Sequence, residues 1–119
     1  MLFRSEMENR KRAWVYCYID APEDNHGALK GQRQQLMDYG LQMELEVTGS
    51  SSDMGEKPLW DRSGFRHFME AVNLGGVDVL LVANQQCLSR STMQMAQFQA
   101  LAKRYGLEVY SPAEGRMKF

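Results

Sequence analysis

Asp20, Glu23, Asp24, Asn25 and His26 stand almost side by side near the start of the chain. Oxygen-rich clusters of this kind can hold a divalent cation. An aspartate at the end of a strand can also accept a phosphoryl group, but that chemistry needs partner carboxylates and a lysine farther along. The sequence does not place them convincingly. An exposed acidic loop accounts for the same residues without any chemistry. A second candidate is Cys87, in the run Asn84-Gln85-Gln86-Cys87-Leu88-Ser89-Arg90-Ser91. A helix N-terminus would lower a thiol's pKa and make it nucleophilic, and Arg90 would help the same N-terminus hold an anion. Such a thiol also needs a base, and the two histidines, His26 and His67, are not placed beside it. The plainer expectation is a small packed thiol. Ser50, Ser51 and Ser52 are hydroxyls without an activating base in view, so they read as loop residues. Met37, Met43, Met69, Met93 and Met95 read as gap-filling core and edge side chains.

Elements that could position these groups follow from hydropathy patterning. Residues 1–12 are polar and unpatterned, a flexible leader. Residues 14–19 (Trp-Val-Tyr-Cys-Tyr-Ile) are β-branched or aromatic almost throughout, which suits a strand covered on both faces. A helix is expected over about residues 28–39, with Leu29, Leu36 and Met37 on one side and Gly40 just past its end. Residues 41–48 alternate as a second strand, and residues 49–57 (GSSSDMGEK) read as a mobile loop. Phe65, Phe68, Met69 and Val72 share one helical face, in a helix starting at Pro58 or Asp61 and closed by Gly75-Gly76. Residues 77–83 form a third apolar strand. Ser91 caps a last helix that Gly106 terminates, and residues 107–110 form a fourth strand.

Alternating strands and helices predict an α/β fold: three α/β/α layers around a mainly parallel four-stranded sheet in the order 2-1-3-4. Strands 1 and 3 are central because they are apolar on both sides. The single domain spans residues 13–112, with 113–119 as a C-terminal tail. Its functional groups should gather where the strands end. At 119 residues and 44% hydrophobic composition, one soluble domain is the natural size. No run is long and apolar enough to cross a membrane, and no secretory pattern follows the basic start. Two cysteines cannot build a disulfide framework, so a cytoplasmic location is expected. The net charge of −1 divides into +2 over residues 1–12, −5 over 13–60 and +2 over 61–119, which is not the basic footprint of a free-standing nucleic-acid binder.

Several short motifs now combine: Tyr16-Cys17-Tyr18-Ile19-Asp20, Gln32-x-x-x-Leu36, the Gly/Ser stretch GSSSDMG, Asp61-Arg62-x-Gly64, Gly75-x-Val77-Asp78-x-Leu80, and Leu88-Ser89-Arg90. In this order and spacing they resemble the N-terminal catalytic domain of serine recombinases, the resolvase/invertase family, over about residues 14–112. The resemblance implies DNA cleavage by a serine hydroxyl through a phosphoserine link. Arginines neutralise the phosphoryl charge, and no metal or other cofactor is involved. At the matching positions Asp20 replaces the nucleophilic serine, Tyr18 an arginine, and Gln86 and Cys87 the start of a later Asp-Arg pair. Arg62 and Arg90 are retained. The expectation is therefore a catalytically inactive, recombinase-like binding or regulatory module. DNA or a recombinase protein would be its partner, and it would be a monomer or weak homodimer, because the family's long dimerising helix and DNA-binding domain do not follow. The alternatives are a strand-transferase rebuilt around Asp20, Arg62 and Arg90, or a metal-binding receiver-like domain.

Overall fold

The computed structural model describes residues 10–118. Strand β1 (Arg12–Ile19) leads through an acidic loop into helix α1 (Ala28–Gln42) and then strand β2 (Glu46–Met54). A single helical turn at Leu59–Asp61 precedes helix α2 (Ser63–Asn73), followed by strand β3 (Val79–Leu81), a short turn at Gln85–Cys87, and helix α3 (Thr92–Tyr105). Strands β4 (Glu108–Ser111) and β5 (Gly115–Arg116) complete the described chain. The sheet order is β2-β1-β3-β4-β5. The first four strands pair in parallel, in the expected order, and β5 adds an antiparallel edge.

Alternation along β1 divides the core in two. Tyr16 and Tyr18 face α2 and α3, where they join Leu80, Val109, Phe65, Phe68 and Phe98. Ala13, Val15 and Cys17 face α1 and pack with Leu36, Val79 and Leu81. The period-2 geometry of a strand makes this division unavoidable when both faces are covered. Phe65 is the hub of the larger side, with ring centroids 5.5 Å from Tyr16, 5.3 Å from Phe68 and 5.9 Å from Phe98.

Several expected boundaries move. Gly40 does not end α1. It lies buried inside the helix, where the missing side chain makes room for Leu81 and Val47: a Cβ there would come within 3.1 Å of the first and 3.2 Å of the second. Leu41, expected on a strand, belongs to the last turn of the helix, with an exposed side chain. The left-handed turn falls instead on Glu44, at φ 58°. The second strand shifts forward, and residues 49–54, expected in a mobile loop, are strand. Their polar groups are tied down: Ser51 Oγ accepts from Trp14 Nε1 at 3.0 Å and donates to the Gly64 carbonyl at 2.6 Å. Gly49 lies under the Trp14 ring, where a Cβ would sit 2.4 Å from a ring carbon. Met93 is largely exposed and packs into no core.

At the ends, residues 1–9 of the expected leader lie outside the described residues. Arg12 already belongs to β1, one residue ahead of the expected boundary. The expected tail instead turns back, with Glu114 N donating to Ser111 Oγ at 3.0 Å, and β5 pairs with β4. Ser91 and Gly106 bound α3 as anticipated, with Ser91 Oγ accepting from Gln94 N at 3.3 Å and Gly106 at φ 65°.

Candidate functional site

The carboxyl ends of the parallel strands enclose an open groove of about 360 Å³. Tyr18, Asp20, Arg62 and Arg90 line it, with Glu56, Lys57, Gln86 and Ser89. The fold thus gathers four of the five singled-out positions at the groove, and Cys87 lies buried just beneath. Asp20 sits where β1 releases the chain, and its carboxylate is 3.4 Å from Arg90 Nη1. Both side chains are exposed enough for water to screen the pair.

Arg62 behaves differently. Only 5% exposed, it donates from Nε to the Lys57 carbonyl at 3.0 Å and from Nη1 to the Cys87 carbonyl at 2.8 Å. Its guanidinium lies 3.8 Å from the centre of the Tyr18 ring. That separation is well inside the range of cation–π attraction. The Tyr18 ring is therefore the surface on which Arg62 rests. Tyr18 is itself fixed: its hydroxyl donates to the Gly55 carbonyl, and Gln32 brackets its backbone, accepting from N at 3.0 Å and donating to O at 2.8 Å.

Beneath Arg62 lies a network that the sequence did not signal. Asp53, at the end of β2, accepts from the backbone N–H groups of Gly64 and Phe65, both at 2.9 Å, and from the Tyr16 hydroxyl at 2.8 Å. It caps the N-terminus of α2 in trans, a strong arrangement because a carboxylate meets the positive end of the helix. Gly64 is obligatory in this contact, since a Cβ would lie 2.5 Å from the Ser52 carbonyl oxygen. The Tyr16 hydroxyl is 3.5 Å from Arg62 Nη1. Burial, with Asp53 adding to it, keeps this phenol protonated far above its usual range despite the lowering effect of Arg62. A buried, polar Tyr paired with an Asp on the neighbouring strand, 37 residues away in sequence, carries no periodic signature, which is why pattern reading misses it.

The remaining candidates resolve into structural roles. Cys87 is buried, its Sγ donates weakly to the Tyr18 carbonyl at 3.7 Å, and burial raises its thiol pKa. It is a poor nucleophile in this state. In the acidic loop, Asp24 caps α1, accepting from Ala28 N at 2.7 Å and Leu29 N at 3.2 Å. No cluster of three or more His, Cys, Asp or Glu suited to a metal forms among the described residues. Ser50 accepts from Arg33 at 3.4 Å and Ser51 is committed to the sheet, so neither lines the groove. No helix among the described residues is long and apolar enough to cross a membrane.

Comparison with known proteins agrees with this architecture. Residues 15–118 match the family described as "Resolvase, N terminal domain". Among solved structures, the N-terminal catalytic domain of TP901-1 integrase superposes with a TM-score of 0.73 at 18% identity, covering 88% of this chain and 79% of that one. The C-terminal catalytic domain of ISC1926 TnpA, an IS607-like serine recombinase, gives 0.75 at 21% identity, covering 84% and 68%. A resolvase family site-specific recombinase from Streptococcus pneumoniae gives 0.74 at 18%, covering 89% and 74%. No curated protein matches at a significant level. The family match over nearly the whole described chain, on a sheet with this strand order, makes the chain a member of the resolvase N-terminal domain family.

Proposed function

We propose that this chain is a serine-recombinase-like domain that does not cleave DNA and serves site-specific recombination as a binding or regulatory module. The observation that carries the reading is the engagement of both retained arginines. Arg62 is spent on two backbone carbonyls and the Tyr18 ring, and Arg90 faces the carboxylate of Asp20. A phosphodiester entering the groove would meet Asp20 and Glu56, with Lys57 as the one lining cation outside these contacts. Each of these carboxylates opposes an entering phosphate, an effect that water in the open groove screens. Catalysis of phosphoryl transfer works the other way, by donors aimed at the developing charge, each worth roughly 3 kcal/mol. With Tyr18 and Cys87 at the positions of two arginines, the deficit amounts to several orders of magnitude in rate.

The test joins the domain to the C-terminal region of an intact recombinase and incubates the fusion with supercoiled DNA carrying that recombinase's sites. Denaturing electrophoresis then reads covalent protein–DNA adduct. None is expected, and changing Asp20→Ser alone should not restore it. Adduct in the unmodified fusion, abolished by Asp20→Asn, would establish a carboxylate nucleophile and overturn the reading.

A further inference from the structure

We propose that the end of the sheet opposite the Asp20 groove is a binding site for the phosphate backbone of duplex DNA. Strands β1, β3 and β4 begin at this end, and antiparallel β5 brings the chain back to it. Two open depressions lie there, of about 650 Å³ and 500 Å³, and they share Gly106 and Glu108, so they form one continuous surface. Arg10, Lys11, Arg12, Lys103, Arg116 and Lys118 line it. These cations come from both termini of the described chain and the end of α3, and only folding collects them.

The charge there does not cancel. Six cations meet three carboxylates, Glu46, Asp78 and Glu108. Asp78 is held by Arg12, through the amide at 2.9 Å and Nε at 3.3 Å. Glu108 is shared between Lys11 at 2.7 Å and Arg116 at 3.6 Å. Lys103 and Lys118 are exposed and have no ion-pair partner among the described residues. The carboxyl end of α3 contributes about −0.5 charge, which leaves the excess above two. The cations are divided between two joined open depressions, three lining each, which suits a linear polyanion better than a single small anion. The lining also lacks an exposed apolar anchor, since Leu107 is buried and Met117 half-buried. A protein interface needs such an anchor at its centre, and so does insertion into a lipid surface. Binding a phosphate backbone needs only charge. The proposal does not depend on whether the Asp20 groove is active.

The experiment titrates the isotope-labelled protein with two short duplexes of unrelated sequence at about 50 mM salt, following backbone amides by NMR. Amide shifts are expected at Lys11, Gly106 and Lys118, and they should be alike for both sequences, because phosphate contacts carry no base information. In parallel, anisotropy of a labelled duplex compares the natural protein with a Lys103→Gln, Lys118→Gln variant whose fold is checked by circular dichroism. Losing two phosphate contacts should reduce the log–log salt slope by about 1.8 and weaken binding about tenfold. Lys30→Gln, on α1 beyond the opposite end, should change neither. Shifts centred on Asp20, Lys57 and Arg90, an unchanged salt slope in the double variant, or capture by phosphatidylserine vesicles without duplex binding would each overturn the proposal.

Discussion

Replacing Arg62 with alanine should unfold this domain more readily than any other single change in the groove. The substitution removes a nearly buried guanidinium and leaves two backbone carbonyls, those of Lys57 and Cys87, without their donor. A hydrogen bond from a charged donor is worth about 1.5–3 kcal/mol, and a desolvated cation–π contact adds about 2 kcal/mol. Water entering the vacated space recovers part of that, so the net loss should be about 3–4 kcal/mol, a large share of the 5–15 kcal/mol or so typical of a whole domain. For a domain of this size the melting temperature should fall by roughly 15 °C. Urea unfolding followed by far-UV circular dichroism measures the difference directly. Arg90→Ala is the internal comparison: its side chain is 71% exposed and holds only a screened ion pair, so it should change stability by less than about 0.5 kcal/mol. If Arg62→Ala cost less than about 1 kcal/mol, or stabilised the fold as removal of strained catalytic groups can, the structural role assigned to Arg62 would be wrong.

Gly64→Ala should cost more than 2 kcal/mol or so in the same urea assay, because the Cβ meets the Ser52 backbone and the Asp53 carboxylate with no flexible neighbour to yield. Asp53→Asn weakens the trans cap of α2 and should cost about 1 kcal/mol by thermal melting, with Tyr16 losing a charged acceptor at the same time. Burial pushes the Asp78 carboxyl up, but the amide and guanidinium of Arg12, with Lys11, more than offset this and hold it below the ordinary carboxylate value. Its contribution to stability is therefore present above the unfolded-state pKa and is lost as pH falls through the lower folded value. Asp78→Asn should flatten that acid limb of the stability–pH curve, more visibly at low salt. The Cys17 thiol is pushed up to about 11 by burial, so iodoacetamide should leave it unmodified in the native protein at neutral pH and alkylate it once urea unfolds the chain.

Much of the fold was legible because it rests on patterns that burial enforces. The apolar runs of β1 and β3 announced central strands, and the Phe65–Val72 spacing announced α2. Ser91 and Gly106 marked the ends of α3. What the sequence hid was set by contacts between distant residues. Gly40 looks like a helix terminator until Leu81 and Val47 are seen to press on it. The Gly/Ser run looks like a loop until Trp14 and Gly64 are seen to satisfy its hydroxyl. Strand β5 is too short to carry a period. At the groove, the resemblance brought Tyr18, Asp20, Arg62 and Arg90 into view, whereas Tyr16 and Asp53 show their pairing only in three dimensions. The linear charge count likewise spreads over the whole chain the basic residues that folding concentrates at one end.

Trp14 rests its ring on Gly49, across the pairing of β1 with the outer strand β2, while the other tryptophan of the chain, Trp60, stands on the turn before α2 and donates to Gln97 at 2.9 Å. The two indoles are therefore independent optical reporters of different parts of the molecule. In a Trp60→Phe background, emission comes from Trp14 alone, and a red shift there records water reaching the seam between the first two strands. With Trp14→Phe the signal belongs to the contact between the turn and α3. Followed during unfolding, the pair would reveal whether the edge strand peels away before the aromatic core opens or the whole sheet lets go at once.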